Sequence, residues 1–168
     1  MKLKKLIKWK LFRLWKKRQY RKFLKESNWD FDFSSILYFL ELKLTIMGTY
    51  FAKYGICVDK KKQAHECWEA RREIKRYFNA FDITYEQCQK EFIAKYGCKY
   101  EFTMYSEPIE GSPLHSLEFR VISPVEDKEE AEKFWHSLKQ HEREYEMQQK
   151  AKNKAFELIA KNIEGWWD

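Results

Sequence analysis

Glycine and proline are scarce in this sequence, with five of the first and three of the second among 168 residues. So few glycines build no glycine-rich phosphate loop, and none falls in a dinucleotide-binding pattern. Breakers this rare leave long stretches free to run as helix. Long apolar runs are missing too. The longest is far short of the roughly 18–20 residues that cross a bilayer, so no transmembrane segment is expected. The opening "MKLKKLIKWKLF" is charged, but lysines interrupt each apolar stretch and leave no signal-peptide core. Cys57, Cys67, Cys88 and Cys98 form no CxxC pair, so reduced thiols in a cytoplasmic protein are the expectation. A zinc site drawing on Cys57 or Cys67 with His65 would depart from the tighter spacing of structural zinc. His65, His115, His136 and His141 are scattered, with no HExxH, and no serine sits in a nucleophile elbow. No catalytic set, metal or cofactor is indicated, and the reading is a non-enzymatic protein.

Aromatic residues, at 18%, and charged residues, at 35%, are what the chain has in quantity. The charge is uneven. Residues 1–26 carry twelve Lys or Arg against the single acid Glu26, a net +11, which leaves −4 on residues 27–168 of the total +7. Leu3, Leu6, Ile7, Leu11 and Leu14 recur at three- and four-residue steps and share one helical face. Trp9, Phe12, Trp15, Tyr20 and Phe23 lie elsewhere around the cylinder. A cationic amphipathic arm of this kind suits nucleic acid or a membrane surface through Lys4, Lys5, Lys8, Arg13, Lys16, Lys17, Arg18 and Arg21. The competing expectation is a helix that docks on the mildly acidic body, because rings as large as Trp9, Trp15 and Phe23 are costly to leave in water.

The body reads as a single helical domain over 27–168. Asp32 is an expected N-cap, followed by the stripe Phe33, Ile36, Leu37, Leu40, Leu44, Met47 and Phe51, with Gly55 as a left-handed stop. A second helix is predicted at about 60–80 on Ala64, Cys67, Ile74, Phe78 and Phe81. A short third opens on the capping-box pair Thr84 and Gln87 and closes at Gly97. Alternation in "KYEFTMYS" and "SLEFRVIS" predicts a hairpin at about 99–123. Two strands alone are marginal in water, so its apolar face is expected to lie on the helices. Ser123, Pro124 and Glu126 predict the start of a last helix of some forty residues, bearing Ala131, Phe134, Trp135, Leu138, Tyr145, Phe156, Ile159 and Ile163 on its stripe. That length exceeds a small domain, so the helix should project, kink or pair with a second copy as a homodimer. The fold class is mainly α, a helical bundle with a small two-stranded antiparallel hairpin and a long C-terminal helix.

Polar residues interrupt these stripes. Arg71 falls between Cys67, Ile74 and Phe78, and Glu142, Gln149 and Asn153 share a face with Leu138, Tyr145 and Phe156. A buried guanidinium needs a carboxylate, and Glu142, Asp30 and Asp32 are the candidates. One reading is a structural ion pair. The other is a ligand pocket lined by Arg71, Glu142, Gln149 and Asn153, where a guanidinium beside aromatic faces suits a phosphate joined to a base.

The segments "WDFDFSSILYFLELKLTIMGTYF" (29–51) and "KAFELIAKNIEGWWD" (154–168) resemble the two ends of a family of small tailed-phage proteins. In that family an aromatic–acid start leads into a long helix and the chain closes on Trp-Trp-Asp. The resemblance implies that Trp166 and Trp167 clasp the start of the first body helix beside Trp29, with Asp168 near Lys43; the clasp is either a plain aromatic one that stabilises the fold or, with Asp30, one wall of the pocket. In a phage setting it implies an anti-defence sponge that holds a host nucleotide immune signal in the cytoplasm of an infected bacterium. The alternatives are an accessory protein working through the basic arm and an inhibitor or adaptor of a host protein.

Overall fold

The computed structural model describes residues 2–26, 33–55, 58–109 and 115–166. Trp29, Asp30, Asp32, Cys57, Trp167 and Asp168 therefore lie outside the described residues. The chain is mainly helical: α1 (Lys2–Glu26), α2 (Phe33–Tyr54), α3 (Lys60–Phe78), α4 (Ala80–Tyr96), β1 (Phe102–Pro108), β2 (His115–Val121), α5 (Lys128–Ser137), α6 (Gln140–Asn162) and a closing 3-10 turn, Glu164–Trp166. Its contacts group into two compact units, Met1–Phe78 with Met147–Asp168, and Asn79–Glu146. Among the described residues no helix is long and apolar enough to cross a membrane.

In the first unit α2 and α3 form the core. Leu37, Leu44 and Phe51 come from α2, and Ala64, Cys67, Ala70 and Ile74 from α3. Phe33 and Ile36, at the start of the expected stripe, stay exposed. The small residues on α3 let the helices approach closely. A side chain at Gly48 would meet the Trp68 ring at 2.5 Å, so α2 needs a glycine there. Gly55 is not left-handed as expected; the only positive-φ glycine among the described residues is Gly97. What Gly55 lacks is room, since a Cβ would lie 2.9 Å from the Phe51 carbonyl oxygen.

The expected last helix of some forty residues breaks into two, a sharper form of the kink its length called for, and its longer part, α6, is the long C-terminal helix expected. Leu138 is buried, Lys139 takes a left-handed φ of 53°, and α6 begins at the next residue. This turn accompanies two ties to α4: Gln140 Nε2 donates to Thr84 Oγ1 at 3.3 Å, and Arg143 forms a two-pronged pair with Glu91. The expected stripe holds in part. Ala131 and Leu138 are buried, and Phe134, Trp135 and Ile159 pack against the cores, but Tyr145, Phe156 and Ile163 are exposed, and Ala151 and Ala155 are buried in α6. Alanine contributes little area but allows close helix contact, so this part of the buried face carried little hydrophobic signal.

In the second unit Phe92, Tyr100, Val121 and Ala131 are buried together against Tyr96, Phe134 and Trp135. The hairpin pairs Phe102 with Val121 and Met104 with Phe119. Its apolar face does not lie on helices as expected, because Met104, Leu117 and Phe119 are more than half exposed. Its root is held instead by side chains that bind backbone. Gln89 Nε2 donates to the Tyr100 carbonyl at 2.8 Å, and the Tyr100 N–H donates to Gln89 Oε1 at 2.9 Å. Ser123 Oγ accepts from the Glu101 N–H at 2.7 Å and donates to its carbonyl at 3.3 Å. Ser123 is therefore not the cap of α5. Asp127 is, accepting from the Glu130 N–H at 2.9 Å. Thr84 likewise lies inside α4, bonded to the Ala80 carbonyl, and not at its start.

Two outcomes follow for stability. Lys139→Gly relieves a left-handed conformation that costs a non-glycine residue about 1 kcal/mol, so the variant should melt higher by a few degrees; an unchanged or lower melting temperature would count against a strained joint. Gln89→Ala strands the buried backbone groups of Tyr100 and should cost about 2–4 kcal/mol. Hydrogen exchange at the Tyr100 amide should accelerate in that variant, and unaltered protection there would remove the clamp from the account.

Candidate functional site

The arm packs on α2 through its aromatic face. Phe12 is 6% exposed, with its ring centroid 4.8 Å from that of Tyr54 and 6.0 Å from that of Tyr50. Trp9 meets the same two tyrosines edge-on, and Tyr54 Oη donates to the Lys8 carbonyl at 3.0 Å. Further along, Tyr20 and Phe23 approach Phe39. Net charge does not favour this contact. The range Asn79–Glu146 has 8 basic and 15 acidic residues, a net −7, so of the total +7 the first unit carries +14, and +3 of that lies outside the arm. The surface that α1 meets is not acidic, and ring burial is what binds it.

Between α1, α2 and α3 lies a cleft of about 470 Å³. Gln19, Lys22 and Phe23 line it from α1, Tyr38, Glu41 and Thr45 from α2, and Arg71 from α3. Arg71 Nε donates to Glu41 Oε1 at 3.2 Å, and Lys75 Nζ is 3.8 Å from the same oxygen. The Arg71 side chain is 31% exposed and that of Glu41 is 21%. Among the described residues, the two terminal nitrogens of Arg71 have no hydrogen-bond partner. Glu41 thus fixes the guanidinium by one edge and leaves its other donors unused. Two cations share one carboxylate, so positive charge is in excess. Tyr38 stacks on Phe78 at 3.8 Å with 15° between the planes, which holds its ring in place.

The expected pocket therefore assembles only in part. Arg71 lines a cleft, but its carboxylate is Glu41 and not Glu142, while Asp30 and Asp32 lie outside the described residues. Glu142 belongs to the second unit, is exposed, and pairs with Lys139 at 2.9 Å. On α6, Gln149 is half-buried and Asn153 is exposed. Trp166 is buried, but against α3 and the middle of α2, not the start of α2: its Nε1 donates to Glu66 at 3.2 Å, and it borders a recess with Lys43, Met47 and Phe51. Gln63 Nε2 donates to the Gly165 carbonyl at 2.6 Å and secures the same turn. Lys8, Arg13, Lys16, Lys17, Arg18 and Arg21 are exposed on α1, which also carries Lys4 and Lys5.

Sequence reasoning missed Glu41, although a signal existed. Glu41 falls between Leu37 and Leu44 on the stripe of α2, as Arg71 falls between Cys67 and Ile74 on that of α3. A charge breaking each of two adjacent stripes, with opposite signs, marks a cross-helix pair.

A second recess of about 470 Å³ lies in the other unit, walled by Tyr85, Phe102, Phe119 and Trp135 and bordered by Glu132. Gln140, His136 and His141 line it too, with His136 Nε2 3.7 Å from Glu132. The buried cysteines supply no nucleophile. Burial, with help from Glu66, pushes the Cys67 thiol up to about 12, and burial also raises that of Cys88. His65, exposed and 3.5 Å from Glu69, does not share a face with Cys67. Peptide mapping after brief alkylation of the native protein at neutral pH should leave Cys67 and Cys88 unmodified; rapid labelling of either would contradict the buried, protonated thiols described here. No known family model matches the chain, and no curated protein or solved structure is significantly similar to it.

Proposed function

We propose that this protein is a non-enzymatic binding protein that captures a small phosphate-bearing ligand with an aromatic ring, the nucleotide class, in the cleft between α1, α2 and α3. The observation that carries this reading is Arg71: held through Nε by Glu41, flanked by Tyr38 and Phe23, with its remaining donors unsatisfied among the described residues. A guanidinium fixed in advance binds phosphate oxygens with little ordering cost, and a cleft lined by aromatic side chains suits a ligand that carries a ring. The cleft volume, about 470 Å³, lies within the roughly 300–1,000 Å³ common for small-molecule sites. The resemblance of the chain's ends to a tailed-phage family supports a biological role as an anti-defence sponge for a nucleotide immune signal.

A thermal-shift panel of mono-, di- and cyclic nucleotides tests this. A ligand at 100 times its dissociation constant stabilises the fold by about 2.7 kcal/mol, a shift of several degrees. Arg71→Ala should abolish the shift. Arg71→Lys, which keeps the charge but loses the forked geometry, should weaken binding about tenfold or more. Should no nucleotide move the melting temperature, or should the shift persist in Arg71→Ala, the reading is wrong.

A further inference from the structure

We infer that the outer face of α1 is a docking surface for an anionic lipid bilayer, lying in the plane of the headgroups with its aliphatic ridge turned to the acyl chains. This inference is independent of the nucleotide reading. It starts from a rotation. At about 100° per residue, Ile7, Leu11, Leu14, Arg18, Arg21 and Lys25 fall on one narrow strip of the helix, opposite the side that carries Trp9, Phe12 and Phe23. The aromatic side is occupied by α2, as the ring contacts above show. The strip is free: Ile7, Leu11 and Leu14 are 50%, 59% and 58% exposed, and Arg18, Arg21 and Lys25 are exposed as well.

The charge on this surface selects its partner. Residues 1–26 carry a net +11, and Lys10 and Lys17 border the strip on one side. Such a surface is drawn to a dense array of negative charge, which both nucleic acid and acidic lipid provide. The aliphatic ridge separates them. Protein contacts to a nucleic-acid backbone are made by polar and charged groups and give three aliphatic side chains nothing to bury against. A headgroup layer over acyl chains does, and helices that lie on it combine a Lys/Arg-rich polar surface with aliphatic residues that sink below the headgroups. Trp15, half-buried beside Leu11, sits at the border where tryptophan favours the interface. The apolar ridge is short, so neutral lipid alone should not retain the protein.

The test is co-sedimentation of the full chain with vesicles of phosphatidylcholine alone, vesicles of equal parts phosphatidylcholine and phosphatidylserine, and, in parallel, retention of a short DNA duplex. The protein should partition onto the mixed vesicles and not onto phosphatidylcholine. Arg18→Ala with Arg21→Ala should lower that partition about twenty-fivefold, and Leu11→Gln with Leu14→Gln about tenfold or more. All four positions are exposed, so unaltered circular dichroism and melting should accompany the losses. The inference falls if mixed vesicles are not preferred, or if Leu11→Gln with Leu14→Gln leaves partition intact. Duplex binding that survives the leucine changes, with no vesicle binding, would assign the face to nucleic acid instead. Because Arg71 is not on this face, loss of vesicle binding and loss of nucleotide binding would be separate results.

Discussion

The close seam between α2 and α3 sets everything that the first unit can do. Ala64, Cys67 and Ala70 present almost no bulk, and Gly48 admits the Trp68 ring against the α2 backbone. Only at this separation can Nε of Arg71 reach the Glu41 carboxylate at 3.2 Å. Wider spacing would leave a cation and a carboxylate on facing helices without each other, which is costly wherever water is scarce. The pair is half-exposed, so its contribution to stability is small. Its larger effect is geometric, since it orients one guanidinium at the floor of an open cleft.

Helix α1 adds the third wall of that cleft by a different kind of contact. Its rings pack on Tyr50, Tyr54 and Phe39. Because the aromatic face is occupied, the aliphatic and cationic positions are presented outward in a fixed rotation. The same helix thus closes a cleft on one side and offers a charged, partly greasy ridge on the other.

The order and type of the elements were legible in the sequence because periodicity is a long-range signal. The stripe on α2 and the start of α3 needed only three- and four-residue spacing, and Gly97 needed only its place after a helix. Where local chemistry had two uses, the sequence misled. Ser123 precedes proline and an acid, which reads as a helix cap, yet its hydroxyl serves the backbone of Glu101. The length of the last helix called for a kink, but no sequence pattern announces a lysine in left-handed conformation, so its place at Lys139 was not legible. The site was half legible. Arg71 stood out as a charge on an apolar stripe, but its partner was sought in distant acids although Glu41 broke the neighbouring stripe in the same way. Alanine faces, as on α6, carry too little hydrophobic weight to be found by periodicity.

The Gln89 clamp has a consequence for self-association. The hairpin is a two-stranded sheet with much of one face in solvent, the kind of surface to which an unfolded chain readily adds a further strand. Strand addition proceeds by capturing free backbone donors and acceptors in sequence along an edge. At Tyr100 both are already taken by one amide side chain, which imitates the neighbour that a growing fibril would supply. Propagation toward the helices is therefore stopped at the hairpin's root, and any polymerising strand is confined to the few residues beyond it.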